Sequence, residues 1–331
     1  MTQGKKQGLD AVSDQRGVIR AAAMDQRGSL RTAIADAQHL DSAAISDEVL
    51  VEFKTAVIRI LSPHASGVLL DPDYGLPASR AREEGVGLLL SYERSGYDNS
   101  LPGRMPELMP GWTVNRLKQE GADGIKLLIY YTPFEKPSLN DQKKALVQQV
   151  GEECCEHDVP FFLEFVGYDP EGTLSSLEFA RKKPDIVAHS MREFSQDQYQ
   201  VDILKVEFPV NLQFTSGTRW CEGSEVAYSR EEACELYLNA AYAARRPFIY
   251  LSAGVSSSQY QEGLHLALDA GVRFSGVLCG RATWKGGIPV YAQNGLSALE
   301  DWLSTDGVGN IRALNAILAG ACSWKDYRPQ G

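Results

Sequence analysis

The sequence predicts an α/β fold, specifically a (β/α)8 TIM barrel, and three observations carry that expectation. Eight short strand-like runs alternate with helical or connecting stretches along the 331 residues, and eight such units in about 300 residues is the count of a barrel. Most of the runs are nearly continuously apolar, as parallel strands covered on both faces are. The first run ends Met24-Asp25-Gln26-Arg27-Gly28, without the glycine-rich turn that opens the first helix of the runner-up, a doubly wound open sheet.

In order, the runs are 17–25, 67–71, 85–92, 124–131, 160–166, 201–208, 248–252 and 276–280. Helices are expected over 47–61, 114–120, 142–156, 231–245 and 257–270. In 142–156 the apolar residues Leu146, Val147, Val150 and Cys154 recur at helical spacing. Ser229 with Glu232 three residues on reads as a capping box. Two helices stop on a polar-glycine signal, Gln119-Glu120-Gly121 and Asp269-Ala270-Gly271. The stretch 169–200 is long enough for more than one connecting element, and 97–111, rich in proline and glycine, reads as a long loop. No linker or 20–50-residue repeat divides the chain, so residues 1–331 are expected to form one catalytic barrel domain.

Composition removes several function classes. Lys+Arg 33 against Asp+Glu 43 gives a net charge of -10, which argues against a nucleic-acid-binding surface. No apolar stretch reaches the length of a membrane span, and the first ten residues lack the apolar core of a secretory signal. Six cysteines are too sparse for a disulfide scaffold and read as reduced thiols of a cytoplasmic protein. Cys154 and Cys155, near His157, are assigned to helix packing, because adjacent helical residues point in different directions. The five histidines all fall outside the strand runs, which argues against a three-histidine zinc site; no metal or cofactor is expected.

The chemistry is expected at the C-terminal ends of the strands, where barrel active sites form. Polar residues there are Asp25, Asp71, Lys126, Glu164, Lys205, Glu207, Ser252 and Arg281. Lys205 is the most informative. A lysine is rarely buried without a partner, yet this one stands between Leu204 and Val206 in an apolar strand. A lysine amine attacks a ketone to form an iminium, an electron sink that replaces a metal. Burial and a second ammonium nearby, Lys126, would favour the neutral amine that attack requires. Glu164 would carry the protons. The same residues also admit a structural reading, with Lys126 and Lys205 as buried ends of ion pairs with Glu164 and Glu207. The residues by themselves leave both open.

The turns after runs seven and eight carry a second signal. In barrels these turns often build a phosphate site from backbone N–H groups. Ser252-Ala253-Gly254 would form one turn and Gly280-Arg281 the other, with glycine allowing close approach and Arg281 able to fork two oxygens. A sugar phosphate is the ligand this suggests.

From about Gly17 to Trp324 the sequence resembles the tagatose 1,6-bisphosphate aldolase family of class I, Schiff-base aldolases. The resemblance lies in AMDQRG at 23–28, LLDPDYGLP at 69–77, KLLIYY at 126–131, FFLE at 161–164, DILKVE at 202–207, YLSAGV at 250–255 and GVLCGRATW at 276–284. It implies Lys205 as the imine-forming lysine, Lys126 as its neighbouring lysine and Glu164 as the proton-transferring carboxylate. It further implies Asp25 and Gln26 at the hydroxyls around the scissile carbons, and Ser252 and Arg281 on the 1-phosphate. The implied reaction is reversible cleavage of D-tagatose 1,6-bisphosphate to glycerone phosphate and D-glyceraldehyde 3-phosphate. Aldolases for fructose 1,6-bisphosphate or a 6-deoxy-6-sulfo-ketose 1-phosphate are the alternatives, and a non-catalytic anion-binding barrel is the alternative of another class. The resemblance and the prevalence of two-fold oligomers give a homodimer as the expected assembly.

Overall fold

The computed structural model describes residues 1–94, 102–223 and 225–330. Eight parallel strands close into a barrel in sequence order. They are β1 (Ile19–Met24), β2 (Gly67–Leu70), β3 (Gly87–Ser91), β4 (Gly124–Tyr130), β5 (Phe161–Val166), β6 (Ile203–Val206), β7 (Phe248–Tyr250) and β8 (Gly276–Cys279). Each lies inside its predicted run. β1 pairs with both β2 and β8, which closes the ring.

Alternation along each strand sorts residues between two cores. Ile19, Ala21, Ala23, Leu69, Leu89, Phe162, Ile203, Ile249 and Leu278 pack together inside the barrel. Their neighbours, such as Ile125, Leu127, Leu163 and Leu204, belong to the larger core beneath the helices. Because the period is two, whatever follows Phe162 and Ile203 by two positions also faces inward, and those residues are Glu164 and Lys205. The strand register sets these two side by side.

The helices Asp47–Leu61, Val114–Gln119, Pro137–Glu156, Arg230–Ala243 and Ser257–Asp269 match the five expected, the third with an extra turn begun by Pro137. Ser229 and Glu232 form the capping box. The stretch 169–200 holds two elements, the helix Leu177–Phe194 and the single turn Asp197–Tyr199. Pro184 inside the first obscures its helical signal in the sequence. Further helices not anticipated are Gln3–Ala11, Gly28–Gln38, Gly75–Ser79, Arg281–Trp284, Gly287–Trp302 and Val308–Ile317. Leu9 of the first is fully buried against the barrel interior, so this helix closes the end opposite the strand C-termini. Cys154 is buried and Cys155 exposed, pointing apart as adjacent helical residues do. Of the loop expected over 97–111, positions 97–101 lie outside the described residues. No described helix is long and apolar enough to cross a membrane.

Candidate active site

The strand C-termini open into a cavity of about 660 Å³. Eight of the nine predicted site residues line it: Asp25, Gln26, Lys126, Glu164, Lys205, Ser252, Gly280 and Arg281. Gly254 lines an adjoining cavity of about 340 Å³ that shares Ser252 and Ala253 with the first. The barrel therefore gathers residues up to 256 positions apart, from Asp25 to Arg281, around one space.

At its base two lysines share one carboxylate oxygen. Glu164 Oε2 accepts from Lys205 Nζ at 2.9 Å and lies 2.8 Å from Lys126 Nζ. Lys126 also donates to Asp25 Oδ2 at 2.9 Å and Glu93 Oε1 at 2.6 Å. Burial by itself would lower the affinity of Lys126 for its proton, but Asp25, Glu164 and Glu93 outweigh it and hold this ammonium well above the ordinary lysine range. Burial would likewise push Asp25 and Glu164 up; Lys126 and Lys205 overcome it and hold both carboxyls below their usual values. The charge of Lys126 is thus taken up by three carboxylates, so it acts as their common clamp more than as a free cation beside Lys205.

Glu93 was missed in the sequence. Two positions beyond Ser91, it points inward at the end of β3, and its second oxygen accepts the Leu128 N–H at 3.0 Å. Burial pushes its carboxyl up, with Lys126 opposing. The strand-end rule applied to run three, which stopped at Tyr92, would have found it. Arg27 holds that turn in place by donating to the Glu93 carbonyl at 2.5 Å.

Two strand-end acids do something else. Asp71 is fully buried and paired with Lys54, which also donates to the Met24 carbonyl at 2.7 Å. It braces the ends of β1 and β2 and does not line the cavity. Glu207 does line it, but its partners are Lys183 at 3.3 Å and the Gly167 N–H at 2.7 Å. The ion pairs considered for Glu207 with Lys126 or Lys205 are not formed.

On the β7–β8 side, Gly254 has φ +80°, and a Cβ there would meet the Arg281 guanidinium carbon at 2.7 Å. Glycine suits both this positive φ and the guanidinium that lies on the turn. A Cβ on Gly280 would meet the Ala23 carbonyl at 2.9 Å, so that glycine lets the β8 end close on β1. Gln26 has a buried Oε1 that receives no hydrogen bond from the described residues, an acceptor open to a ligand hydroxyl. The nearby Cys279 is no competing nucleophile, since burial pushes its thiol up to about 12. Among the described residues no three His, Cys, Asp or Glu side chains are grouped to hold a metal ion.

A closed parallel barrel with a carboxylate held between two amines at its mouth is suited to chemistry on a carbonyl. The profile of the "DeoC/LacD family aldolase" matches residues 19–286. The chain belongs to that aldolase family. It is 48% identical over 326 residues to tagatose 1,6-diphosphate aldolase 2 of Enterococcus faecalis, covering 98% of this chain and 96% of that one. With tagatose 1,6-diphosphate aldolase of Staphylococcus epidermidis the identity is 44% over 329 residues, covering 98% and 99%. Among solved structures, a fructose-bisphosphate aldolase from Plasmodium falciparum superposes with a TM-score of 0.63 at 12% identity, covering 96% and 94%, a likeness of fold.

Proposed function

We propose that this chain is a class I aldolase cleaving D-tagatose 1,6-bisphosphate reversibly to glycerone phosphate and D-glyceraldehyde 3-phosphate. The observation that carries the mechanism is the shared Glu164 oxygen, which gives the proton of Lys205 an acceptor at 2.9 Å. Family membership and two relatives named for this reaction support the substrate. The 1-phosphate lies on Ser252, Gly254 and Arg281, which sets carbon 2 over Lys205.

Lys205 passes a proton to Glu164 and its nitrogen adds to carbon 2. Glu164 returns the proton to the carbon 2 oxygen, then carries a second proton from the nitrogen to the same oxygen, water leaves, and an iminium remains. Asp25 takes the carbon 4 hydroxyl proton, the carbon 3–carbon 4 bond breaks, and its electrons neutralise the iminium as an enamine. That step removes a positive charge beside Asp25, so its carboxylate becomes a better proton acceptor as the proton arrives. D-Glyceraldehyde 3-phosphate leaves, the proton held by Asp25 passes to carbon 3, and water hydrolyses the resulting iminium to release glycerone phosphate and restore Lys205.

Borohydride added with substrate is expected to leave a covalent adduct on Lys205, read by peptide mass spectrometry. Undiminished activity in Lys205→Ala, or full inhibition by a chelator, would sink the proposal. Cleavage rates compared across the tagatose, fructose and sulfo-ketose substrates rank the sugars, with tagatose expected fastest. The enzyme is proposed to work as a closed two-fold dimer, the commonest soluble homo-oligomer. Light scattering showing a 36.4 kDa species at every concentration would exclude it.

A further inference from the structure

A ketose bisphosphate carries two dianions, and the reading above, on which this inference rests, places only one of them. Most cations around the cavity are already neutralised. Lys205 is paired with Glu164, Lys126 with three carboxylates, Lys183 with Glu207, Arg27 with Asp73 and Arg94 with Glu107. Two guanidiniums in or beside the cavity have no carboxylate partner among the described residues. One is Arg281, which lines it. The other is Arg104, on the segment that follows β3, which stands behind the lining and stacks on Tyr130.

Arg104 is held firmly for a half-buried side chain. Its guanidinium lies 5.0 Å from the ring centroid of Tyr130, which lines the cavity, and 5.1 Å from that of Tyr168. The two rings meet edge to face. Tyr168 is fixed in turn by donating to Glu135 at 2.8 Å and accepting from Lys143 at 2.9 Å, and it lies 3.3 Å from the Gly103 carbonyl. The Arg104 backbone is left-handed, φ 45°, an uncommon conformation for a non-glycine residue. Stacking fixes the plane of a guanidinium and leaves its N–H edge unused.

Position completes the argument. Arg281 follows β8 and Arg104 covers the end of β4, and these two strands stand opposite each other in the closed order of eight. A chain running from Arg281 over Lys205 would therefore point its far end at Arg104. We propose that Arg104, held by Tyr130 and Tyr168, binds the phosphate on carbon 6 and sets the preference for a bisphosphate over a ketose 1-phosphate.

The test measures kcat/KM for D-tagatose 1,6-bisphosphate and D-tagatose 1-phosphate in wild type, Arg104→Met and Arg281→Ala. Loss of a charge-assisted contact in Arg104→Met is expected to lower the bisphosphate value about thirtyfold and the 1-phosphate value less than about twofold. Arg281→Ala is expected to lower both. Equal losses in Arg104→Met would make Arg104 a loop clasp, and no loss for either substrate would remove it from the site; each result overturns the assignment. Arg104→Gln carries the same test if the methionine variant does not fold. A wild-type enzyme that cleaves neither ketose refutes the aldolase reading itself, and the assignment falls with it.

Discussion

Asp25 and Glu164 touch the same lysine and are both held anionic, yet their neighbours divide their labour. Of the two, Glu164 is the one hydrogen-bonded to Lys205 and is proposed for the carbon 2 steps; Asp25 bonds to Lys126 and faces the cavity from the opposite strand. Glu164→Gln is therefore expected to slow formation of the borohydride-trapped adduct itself. Asp25→Asn should still give the adduct while cleavage falls by about two to four powers of ten, the range for losing a general base. Rapid-quench trapping beside steady-state cleavage separates the two, and adduct formation impaired equally in both variants would contradict the division. Glu93 belongs to the same scale. Among the described residues its side chain bonds to Lys126 and the Leu128 N–H, which suits it to position the clamp.

At the scale of the element, the N-terminal helix Gln3–Ala11 has the largest consequence for so short a segment. Its polar side is pinned at both ends of the interaction. Lys5 Nζ reaches Asp202 at 2.8 Å, while Asp158 accepts the Gly4 and Lys5 backbone N–H groups at 3.0 and 3.2 Å. Its apolar side delivers Leu9 to the floor of the barrel, beneath the layer that supports Lys205. Leu9→Ala leaves a cavity there and is expected to cost about 2–5 kcal/mol of stability. Chemical denaturation checks this, and a cost below about 1 kcal/mol would show that the helix is dispensable as a plug. The segment escaped sequence reading because its apolar stripe is one leucine followed by Val12, too short for a helical period to register.

For the whole molecule, barrel closure couples acid stability to the active site. Asp25 and Glu164 have folded-state pKa values below their unfolded ones, so as pH falls the unfolded chain takes up their protons first. The stabilisation they give is complete above the ordinary carboxylate range, about pH 4, and is lost as pH falls below it towards the folded values. Glu93 has the opposite sign, since its carboxyl is raised. Denaturation midpoints measured from neutral pH down are expected to fall on the acid side, and less steeply in Asp25→Asn than in wild type. Parallel curves for the two proteins would show that Asp25 is not linked to folding.

Much of this was legible in the sequence, because the relevant signals are local. Short apolar runs, a capping box and polar-glycine stops place all eight strands and five helices, and Lys126, Glu164 and Lys205 stand out as charges in apolar strands. Partner choice is not local. Asp25, Asp71 and Glu207 each follow an inward-facing residue, Ala23, Leu69 or Ile203, by an even number of positions, so Asp71 and Glu207 had the same appearance as Asp25. Closure decided that Asp71 turns to Lys54, that Glu207 turns to Lys183, and that Glu93 joins Lys126. The sequence by itself therefore determined the eight strands, five of the helices and most of the polar residues that line the site. Only the tertiary structure decided which charge meets which, because Coulomb energies depend on distances between residues as far apart as the 101 positions that separate Asp25 from Lys126.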